Sequence, residues 1–357
     1  MRGILLALAL APLLAIPVRA AELPEDLTGA APEAAAEILE EAGDLSGPEG
    51  FSGGVEAILS RLSGQLEDVV RQRLRGAAAV LLVVVLCGAV EGFLPGGKTS
   101  LFLPMAGALS VTALTAGSLD SLIGLGAETI GELNVFSKAL LPTLAAATAA
   151  SGAVTTATFQ QVSTVFFSDL LMNLIDGLLL PLVYLYIGAM TAGACLPEGR
   201  LWAVAEGLKK ILTWLLTTSL LVFTVYLSVT RVISGPVDGA AVKLTKAAIS
   251  GVVPVVGGII AEASETVLAG AGILRATVGV FGMLAVLAAC AYPFLQLGIQ
   301  YLLYKLASFL AGALGPPQLC RLIDGLGSAF GLVLGMTGGC ALLLLVSVLS
   351  AVAAVTP

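Results

Sequence analysis

The sequence contains no histidine, and charged residues make up only 11% of it. Without histidine the chain has no His-liganded zinc or haem site and no Ser-His or Cys-His dyad, which excludes zinc metalloproteases and rhomboid-like serine proteases. The five cysteines form no C-x-x-C pair. Most of them lie in apolar runs, where a thiol behaves as a small hydrophobic group. We therefore expect no bound metal and no cofactor.

Two catalytic motifs are also missing. No G-x-x-x-x-G-K-[ST] phosphate-binding loop occurs, so any ATP-driven work would need a separate ATPase subunit. Asp169 and Asp324, the carboxylates that an aspartyl intramembrane protease could use, both lack its G-x-G-D context. The sequence accordingly predicts that the chain is not an enzyme.

A long hydrophobic body runs from about Ala77 to Val355, and 58% of all residues are hydrophobic. Several of its segments contain roughly the twenty apolar residues that a membrane-spanning helix needs. The composition excludes a soluble fold and predicts an all-α, polytopic helical membrane protein with six to eight transmembrane helices and an amphipathic or re-entrant segment. The predicted spans are 77–94, 101–126, 139–157, 177–196, 208–230, 276–300 and 328–355, with less certain elements at 158–176 and 252–274 and a hairpin at 301–314.

The N-terminal residues 1–20 predict a secretory signal peptide, because Arg2 precedes a short apolar core and small residues surround Ala20. An uncleaved anchor is the alternative. Residues 21–76 then form a small extracytoplasmic region, acidic at first and amphipathic in its second half, and 77–357 form the transmembrane domain. The cluster Arg71, Arg73 and Arg75 next to the first span favours the opposite orientation under the positive-inside rule.

A stripe of small and acidic residues is predicted on the helix that follows Val255. Glu262 and Glu265 share this stripe with Gly258 and Gly272. Against lipid the two glutamates would cost roughly 5–7 kcal/mol together, so the helix should lie at the membrane interface, line a wet cavity or contact another subunit. All three placements fit the pattern.

Other acidic residues interrupt the apolar body. Asp169 and Asp176 are seven residues apart and therefore lie nearly on one helix face. One interpretation is that they bind a cation or relay protons. The other is that they belong to a solvated helix and have no such role. Arg321 and Asp324, three residues apart, are predicted to form a local ion pair at headgroup level.

Several linked sequence blocks resemble one known family. The blocks are Val253-Pro-Val-Val-Gly257, Ala261-Glu-Ala-Ser-Glu-Thr-Val267 and Leu274-Arg-Ala-Thr-Val-Gly279, with further similarity at Leu141–Gly152, Tyr292-Pro293 and Pro317–Asp324. Together they resemble the stage III sporulation protein AE family of endospore-forming bacteria, over roughly Ala139 to Val355.

The resemblance implies a multi-pass subunit of the complex that joins mother cell and forespore, in the mother-cell membrane around the forespore. It implies a permease-like core of a transport or secretion channel, with a cytoplasmic ATPase and ring-forming membrane proteins as partners and no nucleic acid. A non-conducting scaffold for those partners, or an independent ion-coupled transporter, is the alternative. Candidate pathway or docking residues are Pro254, Gly257, Gly258, Glu262, Glu265, Thr266, Arg275, Pro293, Asp169, Asp176 and Asp324.

Overall fold

The computed structural model describes residues 25–33, 35–36, 47–93, 99–152, 154–196, 200–252 and 257–353, and for 231–252 and 257–268 it describes the backbone alone. The predicted all-α class is confirmed. The predicted signal peptide and Pro254 lie outside the described residues. The helices are α1 (Glu25–Gly29), α2 (Gly47–Phe93), α3 (Thr99–Ala150), α4 (Val154–Leu174), α5 (Leu180–Cys195), α6 (Arg200–Val252), α7 (Gly257–Leu314) and α8 (Pro317–Ala353), with a π-helical turn at Ile175–Leu179 that joins α4 to α5.

Six helical segments of the described chain are long and apolar enough to cross a membrane. This number agrees with the lower end of the predicted range of six to eight. The segments are Gly50–Phe93, Phe102–Ala150, Val162–Cys195, Arg200–Tyr226, Ala269–Leu314 and Pro317–Val352.

The helices are longer than the predicted spans because polar stretches do not interrupt them. Span 101–126 and the part of span 139–157 up to Ala150 belong to one helix, α3, whose 52 residues extend about 78 Å at 1.5 Å per residue. The predicted span 139–157 is wrong at its end, because the chain turns after Ala150 and α4 begins at Val154. Between the two spans Glu128 and Glu132 are exposed while Leu133 and Phe136 are buried. The stretch that separates the two predicted spans is therefore an amphipathic part of a continuous helix.

The predicted hairpin at 301–314 is wrong. These residues continue α7, whose Tyr304, Ala307 and Ala311 are buried at helical spacing. The chain reverses after them, at Gly315–Pro316, where proline cannot continue the preceding helix. We call the end of the bundle where this reversal lies the turn end.

Two other predicted elements also merge with their neighbours. The stretch 158–176 joins span 177–196 through the π-helical turn, which lies directly before Pro181, near the start of α5. A π-turn widens the helix at the point where the proline ring would collide with an earlier carbonyl. Likewise the predicted segment 252–274 is not a separate helix, because α7 begins at Gly257 and runs through Leu314 without a break.

Helices α7 and α8 form the centre of the bundle. They pack antiparallel and bury most of their apolar residues, whereas the other four apolar segments bury a third or less. Aromatic side chains of α7 lie against glycines of α8, and a Cβ added to each glycine would lie 3.0–3.1 Å from the ring or side chain it faces. Small residues allow such close helix contacts in lipid. The pairs are Tyr304 with Gly327, Tyr301 with Gly331 and Phe294 with Gly338.

Candidate functional site

A row of buried polar side chains follows one face of α7. Gln296, Gln300 and Tyr304 succeed one another at four-residue spacing and are 8%, 2% and 2% exposed. Arg73 of α2 donates from Nη2 to Gln296 Oε1 at 2.5 Å, and Thr115 Oγ1 of α3 lies 3.0 Å from Tyr304 Oη. We call these five residues the inner polar face. It brings three helices together around polar groups inside an apolar bundle.

The hydrogen bonds at Thr115 have a defined direction. Its hydroxyl donates to the Val111 carbonyl of the preceding turn at 2.8 Å. Because a hydroxyl has one proton, the phenol of Tyr304 must donate to Thr115 Oγ1. This part of the inner polar face is therefore satisfied by protein groups.

The part around Arg73 is not satisfied. Arg73 Nε and Gln300 Oε1 are buried, and neither has a hydrogen-bond partner among the described residues. Leaving a buried donor or acceptor unpaired costs about 1–3 kcal/mol, so such groups are normally paired with protein or with an ordered water. The inner polar face thus offers one donor and one acceptor to water or to a passing polar ligand.

Helix periodicity directs Arg73 into the bundle. It lies on the stripe that also contains Val69, Ala77 and Val80, all buried, whereas Arg71 and Arg75 are exposed. From the sequence we interpreted the three arginines as a signal of orientation only, and this difference in direction was missed. The signal was present, because a single charge on the apolar stripe of an amphipathic helix marks a buried cation. Gln296 and Gln300, four residues apart in an apolar run, carried the same kind of signal.

A second polar cluster lies near the turn end. Lys305 Nζ of α7 is 2.6 Å from Asp324 Oδ1 and 3.0 Å from Ser328 Oγ, both on α8. Lys209 Nζ of α6 reaches the same Ser328 Oγ at 2.9 Å. The ion pair of Arg321 with Glu206, at 3.1 Å, lies beside them. We call these six residues the turn-end cluster.

The turn-end cluster corrects the predicted pairing of Arg321 with Asp324. Although the two are three residues apart on α8, Asp324 faces Lys305 of α7, and Arg321 extends to Glu206 of α6. Its guanidinium also lies over the Trp202 ring, 4.4 Å from the centroid. Helix packing offers each charge a closer partner than its neighbour on the same helix.

Arg275 joins two of the sequence blocks in space. Its side chain is 8% exposed and donates from Nη1 to Ser151 Oγ at 3.3 Å. Ser151 precedes Gly152, whose φ of 95° lies in the left-handed region that favours glycine. The block that contains Arg275 therefore contacts the turn between α3 and α4, far from the turn end.

The remaining predicted residues are spread over the bundle. Asp169 is paired with Lys138 of α3 at 3.8 Å, with both side chains at least half exposed, and Asp176 is exposed in the π-helical turn. Pro293 is buried inside α7. The side chains of the other candidates, Gly257, Gly258, Glu262, Glu265 and Thr266, lie outside the described residues.

Comparisons with known proteins agree on one family. A family model described as Stage III sporulation protein AE matches residues 54–355. The stage III sporulation protein AE of Bacillus subtilis (strain 168) is 25% identical over 211 residues, which is 59% of this chain and 53% of that relative. The chain thus spans about half the length of the relative it matches. No solved structure matches the chain. Because the family match runs through all six apolar helices, the chain belongs to the stage III sporulation protein AE family.

Proposed function

We propose that this chain is the permease-like membrane core of a transport channel between mother cell and forespore that endospore formation requires. Family membership supports a role in sporulation, and six apolar helices support a multi-pass membrane location. Because the sequence has no phosphate-binding loop, a separate cytoplasmic ATPase supplies any ATP-driven work. Ring-forming membrane proteins of stage III sporulation are the other proposed partners.

The inner polar face is the observation that carries this proposal. Arg73 lies one helical turn before the apolar run that begins at Ala77, and it extends into the bundle toward Gln296. A charge inside a membrane costs on the order of 2.5–3.5 kcal/mol on insertion scales, and such residues usually line a pathway or a water-filled cavity. Apolar residues of similar volume would often stabilise the bundle as well or better. We infer that the inner polar face is kept for passage of water or polar solute.

The test compares two arginines of α2, Arg73 and Arg71, whose side chains point in different directions. A third variant replaces Gln300 of α7. Arg73→Met removes the partly buried charge that points into the bundle, Gln300→Leu removes the unpaired acceptor, and Arg71→Met removes an exposed charge two residues from Arg73. We expect the first two variants to lower the yield of heat-resistant spores at least tenfold, while membrane insertion and co-purification of partners stay normal. Arg71→Met should sporulate normally. Full spore yield in both Arg73→Met and Gln300→Leu would refute a pathway at this face.

The acidic stripe at Glu262 and Glu265 remains a second proposed lining element, on sequence grounds alone. The double variant Glu262→Gln and Glu265→Gln should abolish function and leave protein level and assembly intact. A fully active double variant would remove the stripe from the pathway.

A non-conducting scaffold is the second candidate function, and the length of the helices favours it. Helix α3 extends about 78 Å, whereas a bilayer core is about 30 Å thick. Large apolar side chains are exposed at widely separated positions along the length of the bundle. Among them are Phe102 and Phe166, whose side chains are each 60% exposed. A bilayer cannot cover both ends of such a bundle, so partner proteins would. A scaffold predicts normal sporulation in Arg73→Met and lost partner co-purification in Phe166→Asn.

A further inference from the structure

A cavity of about 260 Å³ opens beside the turn-end cluster, between α5, α6, α7 and α8. Lys209 and Arg321 line it together with Glu206, Asp324 and the indole of Trp202. Its volume far exceeds the roughly 15 Å³ that a single water molecule requires. The cavity is therefore large enough for a small polar ligand with its hydration.

We propose that this cavity binds an oxyanion of the phosphate type, the chemistry that a phospholipid headgroup and a free phosphate ion share. Lys209 is the cation that holds it. The proposal goes beyond the transport role and does not depend on it, because the inner polar face and the cavity are made of different residues.

The hydrogen bonds at Ser328 leave Lys209 with free donors. The Ser328 hydroxyl donates to the Asp324 carbonyl at 2.9 Å and accepts from Lys305 and Lys209 at 3.0 and 2.9 Å. Its proton and both lone pairs are then in use. The Lys209 ammonium has three donors, and within the part of the chain that the structure describes this is its one hydrogen bond. Because Lys209 also lines the cavity, its remaining donors are available to a ligand there.

The charges of the turn-end cluster do not balance. Lys305 is neutralised by Asp324, and Arg321 by Glu206. No carboxylate of the described chain lies within ion-pair distance of Lys209. The turn-end cluster thus contains three cations and two carboxylates, and the cation without a carboxylate partner in the described chain, Lys209, is one that lines the cavity. Two ammonium groups on one hydroxyl repel each other, and an oxyanion between Lys209 and the cavity wall would relieve that repulsion.

The fluorescence of Trp202 gives a direct test. The sequence has two tryptophans, and Trp214→Phe leaves Trp202 as the single reporter, in the wall of the cavity. The full chain in neutral detergent is titrated at constant ionic strength with sodium phosphate, with dihexanoyl phosphatidylglycerol and with dihexanoyl phosphatidylcholine. We expect a saturable change with phosphate if the site takes the free ion, or with phosphatidylglycerol alone if it takes a headgroup.

Matched variants assign the binding to Lys209. Lys209→Gln should weaken binding at least tenfold, Lys209→Arg should retain it, and Lys210→Gln, an exposed lysine next in sequence, should leave it unchanged. Thermal unfolding of each variant checks that the bundle is intact. No saturable change with any of the three probes, or equal affinities in Lys209→Gln and Lys210→Gln, would overturn the proposal. Because the readout is binding alone, its failure is distinguishable from a failure of the transport proposal.

Discussion

Helix α2 meets the backbone at the end of α7 at Gly88. A Cβ added at Gly88 would collide with the Leu314 carbonyl oxygen, and it would lie 3.2 Å from the carbonyl carbon and 3.3 Å from Gly315 Cα. These are backbone atoms, held by the hydrogen bond from Gly315 N to the Ala311 carbonyl at 3.0 Å. They cannot rotate away as a side chain can. Gly88→Ala must therefore separate the two helices.

Gly92, one turn later on α2, provides the matched control. No atom of the described residues lies within 4 Å of a Cβ added there. Replacing a helical glycine by alanine stabilises a helix by about 0.5–1 kcal/mol, and this gain applies to both positions. Overpacking at Gly88 costs about 1–3 kcal/mol in addition. We expect Gly88→Ala to be less stable than Gly92→Ala by about 1–3 kcal/mol.

The measurement is thermal unfolding of both variants and the parent chain, in the same detergent and at one scan rate, since unfolding of a protein of this size is often irreversible. The order of unfolding temperatures should be Gly92→Ala at or above the parent, with Gly88→Ala several degrees lower. Equal unfolding temperatures for the two variants would refute the close contact between α2 and the α7–α8 turn.

Two further predictions concern polar contacts. Thr115→Val and Tyr304→Phe should each destabilise the bundle by about 1–2 kcal/mol, measured by thermal or denaturant unfolding. The double variant should be little less stable than either single variant, because both substitutions remove the same buried hydrogen bond. Additive losses of stability would contradict that hydrogen bond. Double-mutant cycles should give a coupling energy of about 1 kcal/mol for Lys305 and Asp324, whose charged atoms are 2.6 Å apart. The coupling energy of Lys138 and Asp169 should be below about 0.5 kcal/mol, because their charged atoms are 3.8 Å apart and their side chains are 59% and 50% exposed. The reverse order would show that Lys305 and Asp324 do not form a structural ion pair.

Hydropathy was sufficient to predict the helical membrane class but not the helix ends. The stretches 127–138 and 158–176 contain charged residues, which suggested breaks between spans. In the bundle those charges, such as Glu128 and Glu132, lie on the exposed side of continuous helices. A hydropathy average over a window does not distinguish a polar loop from one polar face of a helix, whereas the positions of Leu133 and Phe136 at helical spacing do.

The polar contacts depend on packing that one sequence does not specify. The stripe through Val69 and Ala77 was enough to mark Arg73 as inward-facing, but its partner Gln296 is 223 residues away in the chain. The same holds for Asp324, whose nearest cation is on another helix. Local spacing predicts which side chains share a face, and only the arrangement of the helices decides what that face meets.

Thiol accessibility at position 300 shows whether water or polar solute reaches the inner polar face. In a chain whose five native cysteines are replaced by serine or alanine, Gln300→Cys is treated in membranes with a small, charged, membrane-impermeant methanethiosulfonate reagent, with Leu297→Cys, fully buried one turn away, as control. We expect labelling at 300 within minutes and protection at 297. Protection at both positions, in a variant that assembles with its partners, would contradict a pathway along this face.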